Sequence, residues 1–364
     1  MKITIVAGAR PNFMKIAPII EAIQNKKRKG FNMSYRLVHT GQHYDKNLSG
    51  TFFEELNIPL PDTNLEVKSG TQAEQTAAIM IGFEKELQQN PCDLVMVVGD
   101  VTSTMACAIV AKKAHIKVAH VEAGIRSGDM KMPEEINRIV TDSLTDYFFT
   151  TSSYANENLL ELGVPKSNIF FVGNVMIDTL LKNESRLKKP SFWDNMNLRN
   201  KGYFVMTLHR PSNVDEEVQL ENIITKIVSL GKDYPIIFPV HPRTQKLLDG
   251  LDLNFENLHY INPLGYLEFN YLVKHALAVI TDSGGITEET TVMNVPCLTL
   301  RDSTERLETC NIGTNLLVGS DTKKIEKAFK ILLSGNWKQG SVPELWDGHA
   351  AERIVSHLTH IFKL

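Results

Sequence analysis

One pattern constrains this chain more than any other. Short, continuously apolar, β-branched runs alternate with longer segments of helical spacing along its whole length. In the first half the runs are Ile3–Ala7, Tyr35–Thr40, Leu94–Val98, Val118–Val121, Tyr147–Thr150 and Ile169–Val172. In the second they are Tyr203–Leu208, Pro235–Val240, Leu258–Ile261, Ala278–Thr281, Pro296–Leu300 and Leu316–Val318. A strand that is apolar at every position is buried on both faces, which is the condition of a parallel sheet sandwiched between helices. Gln72–Gln89, with apolar residues three and four apart, reads as one helix of the covering layer. Strand and helix in alternation define a doubly wound α/β architecture.

Six strands in each half are too many for one compact Rossmann unit, and 364 residues suit two domains of roughly 100–200 each. We therefore expect two Rossmann-like domains facing a cleft. The polar stretch Asn183–Lys201 contains Pro190 and breaks the periodicity, so it marks the boundary. The expected domains are 1–185 and 186–349, with the helical segment 350–364 packing back onto the first.

Composition removes several classes of partner. A net charge of −3 offers no basic excess for nucleic acid or anionic lipid. No apolar stretch approaches the ~20 residues of a membrane helix. The start of the chain lacks the charged-then-apolar layout of a signal peptide, so the expected location is the cytoplasm. Cys92, Cys107, Cys297 and Cys310 lie far apart with no CxxC pair, which argues against zinc and disulfides and for buried thiols.

In open α/β sheets ligands bind beyond the carboxyl ends of the strands, so the residues just after each run are the ones to inspect. The first run is followed by GARPNFMK, a glycine turn with Arg10 and Lys15, which suits an anion at a helix N-terminus. It is not GxGxxG, and no nicotinamide cofactor is expected. GDVTST puts Asp100 at a strand end, where an N-cap is the plainer role. HVEAGIRSGD puts Glu122 at the next, with Arg126 in the loop. In PEEINR, Glu134 and Arg138 are four apart on one helical face; a surface ion pair is the ordinary alternative.

The second half is different in character. TLHR and PVHP place His209 and His241 at strand ends, and TDSGGITEE opens a helix with Ser283, Gly284 and Gly285. Backbone N–H groups there would form a diphosphate cradle, and Glu289, a turn later, could accept both hydroxyls of a ribose. Arg301 and Arg306 follow in RDSTER. The two histidines lack a third partner at metal-ligand spacing, so no metal is expected.

Taken together and in order, GARPNFMK, HTGQH, GDVTST, HVEAGIRSGD, PEEINR, GNVMIDTL, TLHR, PVHP, TDSGGITEE, RDSTER and DGHAAERI resemble the non-hydrolysing UDP-N-acetylglucosamine 2-epimerases over nearly the whole chain. The resemblance implies a GT-B-like pair of Rossmann domains, a homodimer, and a UDP-sugar substrate held mainly by the second domain. It implies catalytic roles for Asp100, Glu122, Glu134 and His209. It implies substrate binding by Arg10, Lys15, Gln42, Arg138, His241, Phe269, Ser283, Gly284, Gly285, Glu289 and Arg306. The chain departs from the family pattern at Ala9 and Asn12, where GTRPE is usual, and at Leu307, where TERPE is usual.

The chemistry implied is reversible epimerisation at carbon 2, feeding surface polysaccharide synthesis. That carbon is not next to a carbonyl, so UDP leaves carbon 1 while carbon 2 loses its proton, giving a bound 2-acetamidoglucal, and UDP adds back after protonation from the other face. A leaving diphosphate needs donors and positive charge, and carbon 2 needs acid/base groups. Epimerases of UDP-diacetamido-uronic acids or 6-deoxy sugars are close alternatives. A glycosyltransferase of the same fold class, or a sugar-nucleotide sensor, would not need the carboxylate cluster.

Overall fold

Two parallel sheets organise the molecule, each assembled from the apolar runs. The computed structural model describes residues 1–41, 53, 55–214, 216–240, 242–248, 250–251 and 253–364; at 10, 211, 212, 242, 243 and 246 it describes the backbone alone. The first unit comprises Met1–Lys182 with Glu344–Leu364, and the second Asn183–Pro343.

The first unit contains β1 (Lys2–Ala7), β2 (Ser34–His39), β3 (Thr63–Asn64), β4 (Leu94–Val98), β5 (Lys117–Val121), β6 (Tyr147–Thr150) and β7 (Ile169–Phe171). Their order across the sheet is β3-β2-β1-β4-β5-β6-β7, with every pairing parallel. β4 is buried at all positions, as its unbroken apolar sequence requires. Helices α1 (Arg10–Arg28), α2 (Gln72–Gln89), α3 (Thr102–Lys113), α4 (Pro133–Leu144), α5 (Ser153–Glu161) and α6 (Val175–Asn183) connect the strands. α2 starts at a reciprocal cap: Thr71 Oγ1 accepts the Glu74 N–H at 3.2 Å, and the Glu74 carboxylate accepts the Thr71 N–H at 2.8 Å. β3 escapes sequence reading because it has two residues and no apolar run; only its pairing with β2 makes it a strand.

The second unit contains β8 (Phe204–Thr207), β9 (Ile236–Pro239), β10 (Leu258–Ile261), β11 (Ala278–Thr281), β12 (Cys297–Thr299) and β13 (Asn315–Leu317), again parallel, in the order β10-β9-β8-β11-β12-β13. Its helices are α7 (Pro211–Val214), α8 (Glu217–Leu230), α9 (Pro242–Leu248), α10 (Tyr266–His275), α11 (Gly284–Val292), α12 (Leu307–Asn311) and α13 (Thr322–Leu333). Phe204, Phe238, Ile280 and Phe329 fill one side of the sheet. Tyr203, Val205, Ile237 and Val279 fill the other. Trp193 and Leu198 join that second cluster, with the Trp193 ring edge-on to Tyr203 at 5.2 Å. The stretch read as a polar boundary is therefore a plug on the second core.

Residues 344–349 lie with the first unit, rather than with the second as the sequence suggested. They lead into α14 (Ala350–Ile361), whose buried face of Ala350, Ala351, Ile354, Val355 and Leu358 packs against α1. Asp178 of α6 accepts the first N–H groups of α14, from Ala350 at 3.1 Å and Ala351 at 2.7 Å. A carboxylate there meets the positive end of the helix dipole.

Strand order reverses between β1 and β4 in one sheet and between β8 and β11 in the other. Ligands of open α/β sheets bind at such reversal points. GARPNFMK and GDVTST flank the first, TLHR and TDSGG the second.

Candidate active site

In the first unit the turn after β1 is clamped by Asn12, which stands where the family pattern has glutamate. Its Oδ1 accepts the N–H of Gly8 at 3.1 Å and of Ala9 at 2.9 Å, and its Nδ2 donates to the Val98 carbonyl at 2.9 Å. One turn along α1, Lys15 Nζ donates to Glu122 Oε2 at 2.6 Å, with side chains 11% and 3% exposed. Gly99 has φ +69 and lets Lys15 pass; a Cβ there would lie 3.2 Å from Nζ. Glu122 itself has φ +70. That conformation costs a non-glycine residue on the order of 1–3 kcal/mol, and such strain gathers at functional sites.

Asp100 is not a helix cap: the N-cap of α3 is Val101, and it makes no side-chain cap bond. The carboxylate instead takes two bonds from Arg138, from Nη2 at 2.5 Å and Nε at 3.0 Å. Asn137 Nδ2 holds the Asp100 carbonyl at 2.8 Å. Arg138 is buried and also donates to Glu135 at 2.7 Å, so it is no surface partner of Glu134. Glu135 further accepts the N–H groups of Ser127 and Gly128. Burial works to raise its carboxyl, but those donors and Arg138 win and hold it below the ordinary value. Glu134, half-buried in the first turn of α4, meets the positive end of that helix.

Beneath these turns lies a polar cluster the motifs did not assign. His120 on β5 is fully buried, with Nε2 2.8 Å from the Gly99 carbonyl and Nδ1 2.7 Å from Asp142 Oδ1. Asp142 Oδ2 accepts from Arg126 at 2.7 Å and from the Gly124 N–H at 3.1 Å. Burial works to raise the Asp142 carboxyl, but the charge and hydrogen bonds of His120 and Arg126 outweigh it and hold it low.

In the second unit the organising group is Asp282, also unassigned by sequence. It is wholly buried and accepts the N–H of His209 at 3.0 Å, the N–H of Arg210 at 2.9 Å and Asn213 Nδ2 at 3.1 Å. His209 Nδ1 lies 2.8 Å from its Oδ1, while the imidazole is 54% exposed. The ring is thus oriented through Nδ1 and leaves Nε2 for chemistry. Burial alone would raise the Asp282 carboxyl; the hydrogen bond and charge of His209 lead the effects that lower it.

Ser283 is the N-cap of α11, without a side-chain cap bond, and Gly284 and Gly285 open the helix. That arrangement suits an anion. Glu289 is buried, bonded by Tyr266 Oη at 2.8 Å and Asn270 Nδ2 at 3.4 Å. Burial pushes its carboxyl up to about 7 against those bonds. Arg306 pairs with Glu288 at 2.9 Å, and Arg301 with Glu305 at 2.5 Å. Phe269 packs half-buried beside the Trp193 cluster.

A family model described as UDP-N-acetylglucosamine 2-epimerase matches residues 24–359. The chain belongs to the UDP-N-acetylglucosamine 2-epimerase family. It is 43% identical over 374 residues to the UDP-N-acetylglucosamine 2-epimerase of Methanocaldococcus jannaschii, with 99% of each chain covered. It is 36% identical to the UDP-2,3-diacetamido-2,3-dideoxy-D-glucuronate 2-epimerase of Pseudomonas aeruginosa, covering 99% of this chain and 100% of that one. The crystal structure of the M. jannaschii enzyme in complex with UDP-GlcNAc and UDP superimposes with a TM-score of 0.88, covering 99% of this chain and 100% of that one.

The structure thus brings Lys15, Asp100, Glu122 and Arg138 to adjoining strand ends in one unit. It brings His209 and the start of α11 together in the other. The Arg10 side chain, Gln42 and His241 lie outside the described residues. Among the described residues no group of three His, Cys, Asp or Glu side chains is arranged to hold a metal. Cys107 and Cys297 are buried, whereas Cys92 and Cys310 are only half-buried. His120 and Asp142 were missed because each sits inside a strand or helix where nothing but tertiary contact marks it; Asp282 directly follows the run Ala278–Thr281, and that strand-end placement was the signal that could have found it.

Proposed function

We propose that this chain interconverts UDP-N-acetylglucosamine and UDP-N-acetylmannosamine by eliminating and re-adding UDP. The carbon 1–oxygen bond breaks, UDP leaves with the electron pair, carbon 2 gives up its proton, and a 2-acetamidoglucal remains bound. Protonation of carbon 2 from the opposite face and return of UDP to carbon 1 complete the reaction.

The observation that carries this reading is the pairing of carboxylates with cations at neighbouring strand ends: Glu122 with Lys15, and Asp100 with Arg138. Both carboxylates are thereby fixed in place and aimed. With Glu134 they are the proton-transfer groups at carbon 2. The second unit holds UDP. The open N-terminus of α11 takes the diphosphate, Glu289 the ribose hydroxyls, Phe269 the uracil, and His209 the departing phosphate through Nε2. Arg10, Gln42, His241 and Arg306 complete the binding set on the strength of the family motifs.

The same motifs support a homodimer in the cytoplasm, supplying an N-acetylmannosamine donor to surface polysaccharide synthesis. The Pseudomonas relative keeps open a diacetamido-uronate substrate for the same chemistry. Incubation in deuterated water with a panel of UDP-sugars tests both points. UDP-GlcNAc should yield UDP-ManNAc with deuterium at carbon 2 in both epimers. Epimerised product without deuterium rules out the elimination route, and turnover of the uronate alone reassigns the substrate.

A further inference from the structure

We propose that His120 and Asp142 are positioning residues: a buried pair that braces the turns carrying Asp100 and Glu122 against one face of α4. The inference rests on the proposed epimerase reading and adds residues to it.

The geometry is specific. The Gly99 carbonyl, one residue before Asp100, can only accept, so His120 Nε2 carries a hydrogen and donates to it at 2.8 Å. Nδ1 then faces Asp142 Oδ1 at 2.7 Å. The other Asp142 oxygen takes the N–H of Gly124, two residues after Glu122, and the guanidinium of Arg126. Gly99 N–H closes the figure by donating to the Val121 carbonyl at 3.0 Å. Apart from the His120–Asp142 bond itself, each of these contacts ends on backbone beside a proposed proton-transfer residue or on the loop that follows it.

The turns need bracing. Gly99, Glu122 and Gly124 have φ of +69, +70 and +78, so three residues at two adjacent strand ends hold left-handed conformations. The two glycines adopt this backbone without strain, but in Glu122 it persists only where the surroundings over-determine it. Asp142 lies four residues after Arg138 on α4, and positions four apart share a helix face. Arg138 fixes the Asp100 carboxylate from that face, while Asp142, through His120 and Gly124, fixes the backbone on either side. A single helix thereby sets the spacing of two carboxylates, and spacing is what transfer of one proton at one carbon demands. The two ring nitrogens let one side chain span from a carboxylate to a carbonyl.

Two substitutions divide the pair's contacts. The Gln amide nitrogen approximates Nε2 and can keep the Gly99 bond; the Asn amide nitrogen approximates Nδ1 and can keep only Asp142. His120→Gln should stay within roughly fivefold of wild-type kcat, and His120→Asn should fall by about 10²-fold, the scale of a 1 Å misplacement. KM for UDP-GlcNAc should move less than about threefold in both, since UDP contacts are untouched. Asp142→Asn, nearly isosteric, is the variant of choice if neither histidine variant folds, and it should also lose kcat rather than KM. Equal kcat losses in Gln and Asn, or losses that simply track thermal stability, would overturn the proposal. Amide exchange at Gly99 and Gly124, measured without substrate, should quicken in His120→Asn and Asp142→Asn; unchanged exchange also overturns it. An inactive wild type with this exchange pattern would instead fault the epimerase reading and leave the brace standing.

Discussion

Replacing Glu289 by glutamine separates the cost of a buried carboxylate from its use. Glu289 is 4% exposed, and burial pushes it up to about 7 from an ordinary 4.5 although Tyr266 and Asn270 donate to it. The folded state therefore binds this proton more tightly than the unfolded state. Below pH 4.5 both are protonated and the residue costs nothing. As pH rises from 4.5 to 7 the unfolded chain ionises first, so stability of the second unit falls; above 7 the loss levels off. At 1.36 kcal/mol per pH unit the gap between 4.5 and about 7 amounts to about 3 kcal/mol. Urea denaturation at pH 5, 6.5 and 8 should show wild type losing that much relative to Glu289→Gln.

The same carboxylate, if it takes two ribose hydroxyls, must be ionised to do so. UDP affinity of the wild type should then rise relative to the variant between pH 6 and 8, by up to roughly tenfold. The second phosphate ionisation of UDP, near 6, affects both proteins alike and cancels in the ratio. Calorimetric titration with UDP at the two pH values measures it. Parallel stability profiles together with a constant affinity ratio would refute both the buried charge and its proposed role.

Glu122→Gln and Asp100→Asn should each lower kcat by about 10²-fold or more while UDP affinity, measured by calorimetry, stays within about threefold. Asp282→Asn removes a charge-assisted bond worth roughly 1.5–3 kcal/mol from His209 Nδ1 and turns an amide toward it, favouring the wrong tautomer. We expect a 10- to 10²-fold loss of kcat, read in steady-state kinetics, with circular dichroism unchanged; full activity would make Asp282 a backbone clamp only.

Much of this was legible in the residues, and the exceptions share a cause. Leu94–Val98 and Ala278–Thr281 could be delimited because continuous burial leaves an unbroken apolar run. Gln72–Gln89 could be delimited because its cap and its periodicity are both local. β3 could not, since a two-residue strand is defined by its neighbour. Asn183–Lys201 was legible as a boundary, since the second unit begins at Asn183, but not as a plug on the second core, because few residues of a largely polar stretch, Trp193 and Leu198 among them, do the burying. At the site, residue types and strand-end placement pointed to Glu122, Asp100 and the start of α11. Which cation meets which carboxylate was not readable: Arg138 was paired by spacing with Glu134, yet tertiary packing turns it to Asp100 and Glu135.

The ion pairs carry one further consequence for the order of events. A carboxylate is a weak base, and Lys15 and Arg138 already occupy these two with ion pairs, whereas the proton on carbon 2 of an intact sugar nucleotide is a poor acid. Such a base succeeds only if departure of UDP runs ahead and builds positive charge at carbon 1, which acidifies the neighbouring C–H. Stabilisation of the leaving diphosphate would then control the rate, and proton transfer would follow. UDP-GlcNAc deuterated at carbon 2 should therefore show a small isotope effect on kcat/KM in the wild type. In Glu122→Gln and Asp100→Asn proton transfer becomes the slow step, so the effect should grow, and the glycal should accumulate with free UDP when reprotonation lags. Competitive turnover of labelled and unlabelled substrate, read by mass spectrometry, measures it. A large effect in the wild type that the variants leave unchanged would place proton abstraction first and contradict the reading of the Lys15 and Arg138 pairs.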